Sequence, residues 1–183
     1  MSTEFMLGAK ANCIDGFCGE VSRTIVDPAA GTITHLVVEP RHEEEPGRLV
    51  PLELVDTTTD GIMLRCTLAE FSALDPAEQV TLVEDRDFGG VGGAPVVVNH
   101  AVPLGGAEVG QHEHVHAVDG EIGQVEGFVV DRADHVLTHV LLKEGHLWGR
   151  KQVAIPVSAI ASVTDGIHLN ITKKQVEELP PAP

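Results

Sequence analysis

Two stretches of the chain carry the same pattern of turn glycines and apolar strand residues. They are Asp15-Gly16-Phe17-Cys18-Gly19-Glu20-Val21 and Asp119-Gly120-Glu121-Ile122-Gly123-Gln124-Val125. The second stretch follows the first at an offset of 104 residues, and this register holds without a gap over residues 15–38. Self-similarity at one fixed period is the sequence signature of repeated structural units. The sequence therefore predicts an internal duplication.

The correspondence continues beyond a loop that differs in length by one residue between the copies. The offset becomes 105, so that Pro51 corresponds to Pro156 and the turn pair Asp60-Gly61 to Asp165-Gly166. Between the copies lies a stretch rich in Gly and Pro, which we interpret as a linker. The predicted first copy, linker and second copy occupy residues 1–83, 84–109 and 110–183.

Each copy has the pattern of a small antiparallel β structure. Runs rich in Val, Ile and Phe end at Gly, Asp or Pro, which is typical of short strands. Thr67 with Glu70 and Thr172 with Gln175 fit the capping box that begins a helix. We expect an all-β fold of two small antiparallel barrels, closed or partly closed, each ending in a short helix. Because a unit of about 70 residues has little core of its own, the copies are expected to share a buried face around an approximate two-fold axis.

Composition excludes several classes of partner. Among the 183 residues, acids outnumber bases 28 to 12, the formal net charge is −16, and aromatic residues make up 3%. Nucleic-acid binding needs a basic surface and stacking platforms, and an anionic membrane surface repels such a chain. The N-terminus lacks the basic start and apolar run of a signal peptide. We expect a cytoplasmic protein without membrane insertion.

The order of these motifs, present twice, resembles the PRC-barrel family. The Asp-Gly-x-x-Gly-x-Val stretch is followed by an apolar strand ending in Asp, by Thr-His before apolar residues, and by a third strand ending in Pro. The resemblance covers residues 7–75 and 113–180. It is sharpest at 144–156, which is similar to bacterial tandem PRC-barrel proteins. More distant resemblances are to the cytoplasmic domain of the reaction-centre H subunit and the C-terminal barrel of the ribosome maturation factor RimM.

The resemblance implies a docking module and not an enzyme, with no catalytic residues and no cofactor to carry over. We expect a non-catalytic interaction or assembly module that forms homo-oligomers. The loop that carries Glu43-Glu44-Glu45 in the first copy carries Trp148 in the second. Tryptophan is a common interface anchor, so one interpretation is a contact surface, and the other is that Trp148 plugs the barrel mouth. The proposed contact surface comprises His146, Trp148, Arg150 and Lys151.

Histidine offers an alternative function. His112, His114 and His116 lie at positions i, i+2 and i+4, which fall on one face if the segment is a strand. Such a face suits zinc or a similar divalent metal, or a pH-responsive site. Because the segment begins a barrel strand, the interpretation that we favour is a solvated outer face. His35 and His139 occupy corresponding strand positions, which favours a structural role.

Three cysteines, Cys13, Cys18 and Cys66, are too few and too irregularly spaced for a disulfide framework or a common zinc module. The interpretation is a set of reduced, buried thiols, as is usual in the cytosol.

Overall fold

The structure, a computed structural model, describes residues 2–42, 44–58, 61–82, 96–144, 152–163 and 165–180. Strands dominate it, and the prediction of an all-β fold is confirmed. Sheet 1 contains seven strands: β2 (Lys10–Cys13), β3 (Gly16–Asp27), β4 (Thr32–Glu39), β5 (Arg48–Pro51), β6 (Val55–Thr58), β7 (Gly61–Leu64) and β10 (Ala107–Gly110). Sheet 2 also contains seven: β1 (Ser2–Met6), β11 (His114–Ala117), β12 (Gly120–Asp131), β13 (Leu137–Glu144), β14 (Val153–Pro156), β15 (Ile160–Val163) and β16 (Ile167–Leu169).

The two sheets have corresponding strand orders. Sheet 1 runs β5-β4-β3-β2-β7-β6 and sheet 2 runs β14-β13-β12-β11-β16-β15. The irregularities correspond too, since the β3–β4 register shifts after Val21 and the β12–β13 register shifts after Val125. Over the described residues both orders are open-ended, so barrel closure stays an expectation.

Each sheet receives one strand from the other end of the chain. β1 pairs antiparallel with β12, where Thr3 lies opposite Val130, and β10 pairs antiparallel with β3, where Ala107 lies opposite Val26. Both pairings obey the offset of 104 residues. Each sheet thus includes one strand from the other part of the chain, and neither sheet is complete without it.

The β3–β4 and β12–β13 turns also bond to one another. Ile33 N donates to the His135 carbonyl oxygen at 3.2 Å, and Leu137 N donates to the Gly31 carbonyl oxygen at 2.9 Å. Beneath these turns a single core cluster includes residues of both sheets, among them Leu36, Leu64, Phe128 and Ile155. The hydrophobic core is therefore shared between the sheets.

A short helix follows each sheet's last hairpin: α1 (Leu68–Ser72) and α2 (Lys173–Glu177). The predicted capping boxes are present at Thr67 and Thr172. A turn carboxylate caps each helix as well, since Asp15 Oδ1 accepts from Leu68 N at 2.7 Å and Asp119 Oδ1 accepts from Lys173 N at 2.9 Å. The Asp-Gly turns that begin the repeated stretches thus fix the position of the helices.

A third, two-stranded sheet consists of β8 (Glu78–Leu82) and β9 (Val96–His100). β9 and β10 lie within 84–109, the segment that the sequence predicts as a linker, and residues 83–95 lie outside the described part of the chain. The buried Arg23 side chain joins these elements to β3 by bonding Glu78 at 2.9 Å and Glu108 at 3.3 Å. No helix in the described ranges is long and apolar enough to span a membrane.

Candidate functional site

The predicted contact surface around Trp148 falls outside the described residues. His146, Trp148, Arg150 and Lys151 all belong to the segment 145–151. Whether Trp148 contacts a partner or plugs the barrel therefore stays a prediction.

A row of imidazoles lies on the outer side of sheet 2. His114 and His116 come from β11 and His168 from the neighbouring β16, which pairs parallel with β11 so that His116 lies opposite His168. The His116 and His168 rings stack with centroids 5.1 Å apart, and those of His114 and His116 lie 6.4 Å apart. We call His114, His116 and His168 the histidine face.

His112 does not continue this row. It precedes β11 in a turn, with a φ of 69°, and its Nδ1 lies 3.3 Å from Gln124 Oε1. The β11–β12 register also shifts between Val115 and His116, so the strand does not alternate regularly at this point. In the part of the chain that the structure describes, no group of three or more His, Cys, Asp or Glu side chains is placed to hold a metal ion. The metal-binding interpretation of His112, His114 and His116 is not supported.

His168 was missed by sequence reasoning. It lies about fifty residues beyond His116, and the two meet only because β11 and β16 pair in parallel. A parallel pair has no hairpin that would mark it in the sequence. The one available signal was the duplication, which relates His168 to Met63 on β7 next to β2.

His35 and His139 take part in the structure of the two sheets. Each ring Nδ1 lies near the hydroxyl of the preceding threonine, at 3.0 Å from Thr34 and 3.1 Å from Thr138. Burial lowers the pKa of His35, because the charged ring is less well solvated there. These contacts are those of half-buried structural histidines.

The three cysteines are free and buried, as predicted. Burial raises the pKa of Cys13 to about 12 and that of Cys66 to about 11, so both remain thiols at neutral pH. Because the thiolate is the nucleophile and the metal ligand, burial disfavours both roles for Cys13 and Cys66. At the corresponding positions of sheet 2, Ala117, Ile122 and Ile171 fill the same core.

A cleft beside β1 and β6 gathers several charged side chains. It is lined by Glu53, Asp56, Arg65, Asp131, Arg132 and His135. The Arg65 guanidinium bonds both oxygens of Asp56 at 2.6 Å, and these bonds lower the pKa of that carboxyl. General acid–base catalysis favours a group that titrates near the operating pH. Asp56 is instead held in its ionised form, and both of its oxygens are bonded to Arg65. The pair is typical of a surface ion pair.

An exposed apolar set lies at the end of sheet 1 near α1. Ile14 is 69% exposed, Met63 38% and Leu68 36%. Ile14 is the tip of the β2–β3 turn, Met63 lies on β7, and Leu68 is the first residue of α1. We call Ile14, Met63 and Leu68 the apolar set. The corresponding positions of sheet 2 hold Val118, His168 and Lys173.

Comparison with known protein families matches residues 115–176 to the PRC-barrel domain. The match begins on β11 and ends in α2, so it covers most of sheet 2 and includes His116 and His168 of the histidine face. It favours a non-catalytic module. No curated protein matches the chain.

Proposed function

We propose that this chain is a non-catalytic, cytoplasmic protein-interaction module that associates with itself through the apolar set of sheet 1. The PRC-barrel match in sheet 2 supports the non-catalytic class. The buried thiols and the mutually paired Asp56 and Arg65 are consistent with it.

The proposal extends to the whole chain as a tandem PRC-barrel protein. Corresponding strand orders, register shifts, turns and helix caps all support two copies of one unit related by an approximate two-fold axis. Reciprocal placement of β1 and β10 makes each partly open barrel depend on the other copy. In this arrangement the duplication supplies a shared core, and the outer faces are left for contacts.

The observation that carries self-association is the exposure of the apolar set. The three side chains come from adjoining segments, since β7 pairs with β2, Ile14 N bonds the Cys66 carbonyl oxygen and Leu68 N bonds Asp15. A contiguous exposed apolar patch is typical of an interaction site. A second copy fits this surface because a two-fold contact brings the same patch onto itself. The acidic chain would otherwise repel its own copies, so burial of these side chains must supply the attraction. The Trp148 loop remains a second proposed contact.

The test exchanges two members of the apolar set, Met63 and Leu68, for the residues that the chain itself carries at the corresponding positions of sheet 2. Met63→His with Leu68→Lys gives sheet 1 the His and Lys of positions 168 and 173, so the fold is expected to tolerate them. We expect wild-type mass to rise with concentration in sedimentation velocity at pH 7.5 and the variant to remain monomeric.

Leu104→Lys is the matched control. Leu104 is fully exposed but lies before β10, apart from the apolar set, so this variant should associate like wild type. A wild type that is monomeric at every concentration, or a double variant that associates unchanged, would contradict the proposal.

A further inference from the structure

His114 and His116 of the histidine face line a shallow depression, and His168 adjoins it by stacking on His116. Glu121 of β12 lies 2.6 Å from His114 Nδ1. The turn before β11 contributes His112 and Glu113, and the turn before β16 contributes Asp165. On the neighbouring α2, Lys173 lies beside Gly120 at the start of β12. On β13, Lys143 lies opposite Gln124, which pairs with His114. The described groups around the depression that can carry positive charge are these two lysines and the imidazoles.

Protonation of the imidazoles changes the sign of the net charge on this surface. Histidine is the side chain whose charge changes between about pH 5 and 8. With the imidazoles neutral, the carboxylates of Glu113, Glu121 and Asp165 dominate and repel anions. With the imidazoles protonated, four cations, those of the histidine face and His112, face three carboxylates. The stacked rings then repel one another, and a bound anionic group relieves that repulsion.

The chain itself presents an exposed anionic group. In the connection from β4 to β5, Glu44 and Glu45 are adjacent and exposed, and Glu45 N bonds the His42 carbonyl oxygen at 3.0 Å, which forms a turn. We call Glu44 and Glu45 the acidic loop. Residues 1–83 contain 14 acids and 5 bases, against 10 and 6 in residues 110–183. The first copy is thus the more acidic partner.

We propose that the histidine face binds the acidic loop of a second copy of this chain, and that the contact forms as the pH falls from neutral to about 6. This contact adds a second, proton-gated step to the self-association proposed above and rests on it. The corresponding outer positions of sheet 1 are Lys10, Asn12 and Met63, none of which is a histidine. The contact therefore joins sheet 2 of one copy to sheet 1 of another, and such head-to-tail contacts extend an assembly beyond a dimer.

The first test compares sedimentation velocity at pH 7.5 and pH 5.8 over a range of protein concentrations. We expect association to strengthen about tenfold at the lower pH, and His116→Gln with His168→Gln to remove that gain. The control is His139→Gln with His135→Asn, which removes the same number of histidines away from both the depression and the acidic loop. Asn suits position 135 because it tolerates the left-handed φ of 60°. An equal loss in both double variants would overturn the contact, because it would indicate a general charge effect.

The second test reverses the charge of the acidic loop. Glu44→Lys with Glu45→Lys should reverse the pH dependence, with stronger association at pH 7.5, where the depression is anionic, than at pH 5.8. The matched control is Glu177→Lys with Glu178→Lys, an adjacent exposed pair in sheet 2's helix with the same change in charge. This control should keep the wild-type direction, and a reversal in both variants would overturn the proposal.

The two proposals fail in different ways. If the protein associates at pH 7.5, if Met63→His with Leu68→Lys abolishes that association, and if the association does not change with pH, the histidine contact alone is overturned. If the protein is monomeric at pH 7.5 and associates only at pH 5.8, and if His116→Gln with His168→Gln removes that association, the apolar contact alone is overturned. Circular dichroism of each variant at both pH values checks that the fold persists.

Discussion

Sheets 1 and 2 share a backbone plan but present different outer faces. At the exposed corresponding positions, sheet 1 has Met63 and Leu68 where sheet 2 has His168 and Lys173. Interior positions keep their apolar character, as Leu64 and Leu169 show. Close packing restricts what a core position can hold, whereas an exposed position carries no such restriction. One scaffold therefore supports two surfaces of different chemistry.

The two exchanged strands, β1 and β10, pack against the receiving strands with the glycine and the long side chain in opposite places. We call the β1–β12 and β10–β3 pairings the two seams. In sheet 2, Gly127 of β12 lies opposite Met6 of the incoming β1, and in sheet 1, Arg23 of β3 lies opposite Gly110 of the incoming β10. In each pair a glycine faces a long side chain, but the glycine has changed strands. This difference makes the two seams respond differently to substitution.

The largest expected effect comes from removing the buried aromatic side chain of an incoming strand. Phe5 of β1 is buried in the shared core, and its counterpart in β10 is the smaller Val109. Phe5→Ala should cost about 3–5 kcal/mol in the free energy of unfolding. Val109→Ala, which removes two methyl groups, should cost about 2 kcal/mol. Urea denaturation measures both, and equal costs would mean that the seams do not differ as the packing indicates.

A smaller effect is expected from adding one methyl group at the same seams. A Cβ on Gly127 would lie 2.5 Å from the Phe5 carbonyl oxygen, whereas a Cβ on Gly110 would lie 3.5 Å from Arg23 Cγ, an ordinary contact. Gly127→Ala should therefore destabilise the protein by about 1–3 kcal/mol. Gly110→Ala should change stability by less than about 0.5 kcal/mol. Thermal unfolding distinguishes them, and a Gly110 variant that is the less stable of the two would contradict the described seam.

The smallest expected effect concerns the turns that bond to each other. Gly31 and His135 correspond, and both are left-handed, with φ of 65° and 60°. A Cβ on Gly31 would meet nothing within 4 Å, so Gly31→Ala isolates the backbone cost of about 1 kcal/mol. Conversely, His135→Gly should stabilise the protein by up to about 1 kcal/mol. Destabilisation by His135→Gly in thermal unfolding would show that its side chain makes a contact that outweighs the strain.

Features set by local sequence were predictable. The Asp-Gly turns at 15–16 and 119–120, the apolar strands after them and the capping boxes at Thr67 and Thr172 are set by a few neighbouring residues, and all of these are present. The offset of 104 residues also predicted which positions correspond, down to the turns at Gly31 and His135.

Features that depend on distant pairing were not predictable. β1 and β10 are short and lie far along the chain from the strands they pair with, so nothing local marks their exchange. For the same reason His168 was not grouped with His116. The bonds from Arg23 to Glu78 and Glu108 also join residues that no sequence spacing relates.

Native-state hydrogen exchange tests most directly whether the sheets depend on each other for stability. Because each sheet contains a strand from the other part of the chain and both line one core, the slowest amides of β3 and β12 should exchange through the same opening. They are expected to have the same free energy of exchange, and Phe5→Ala should lower both by the same amount. Slow exchange in one sheet while the other opens at a distinctly lower free energy, or a Phe5→Ala effect confined to β12, would contradict that interdependence.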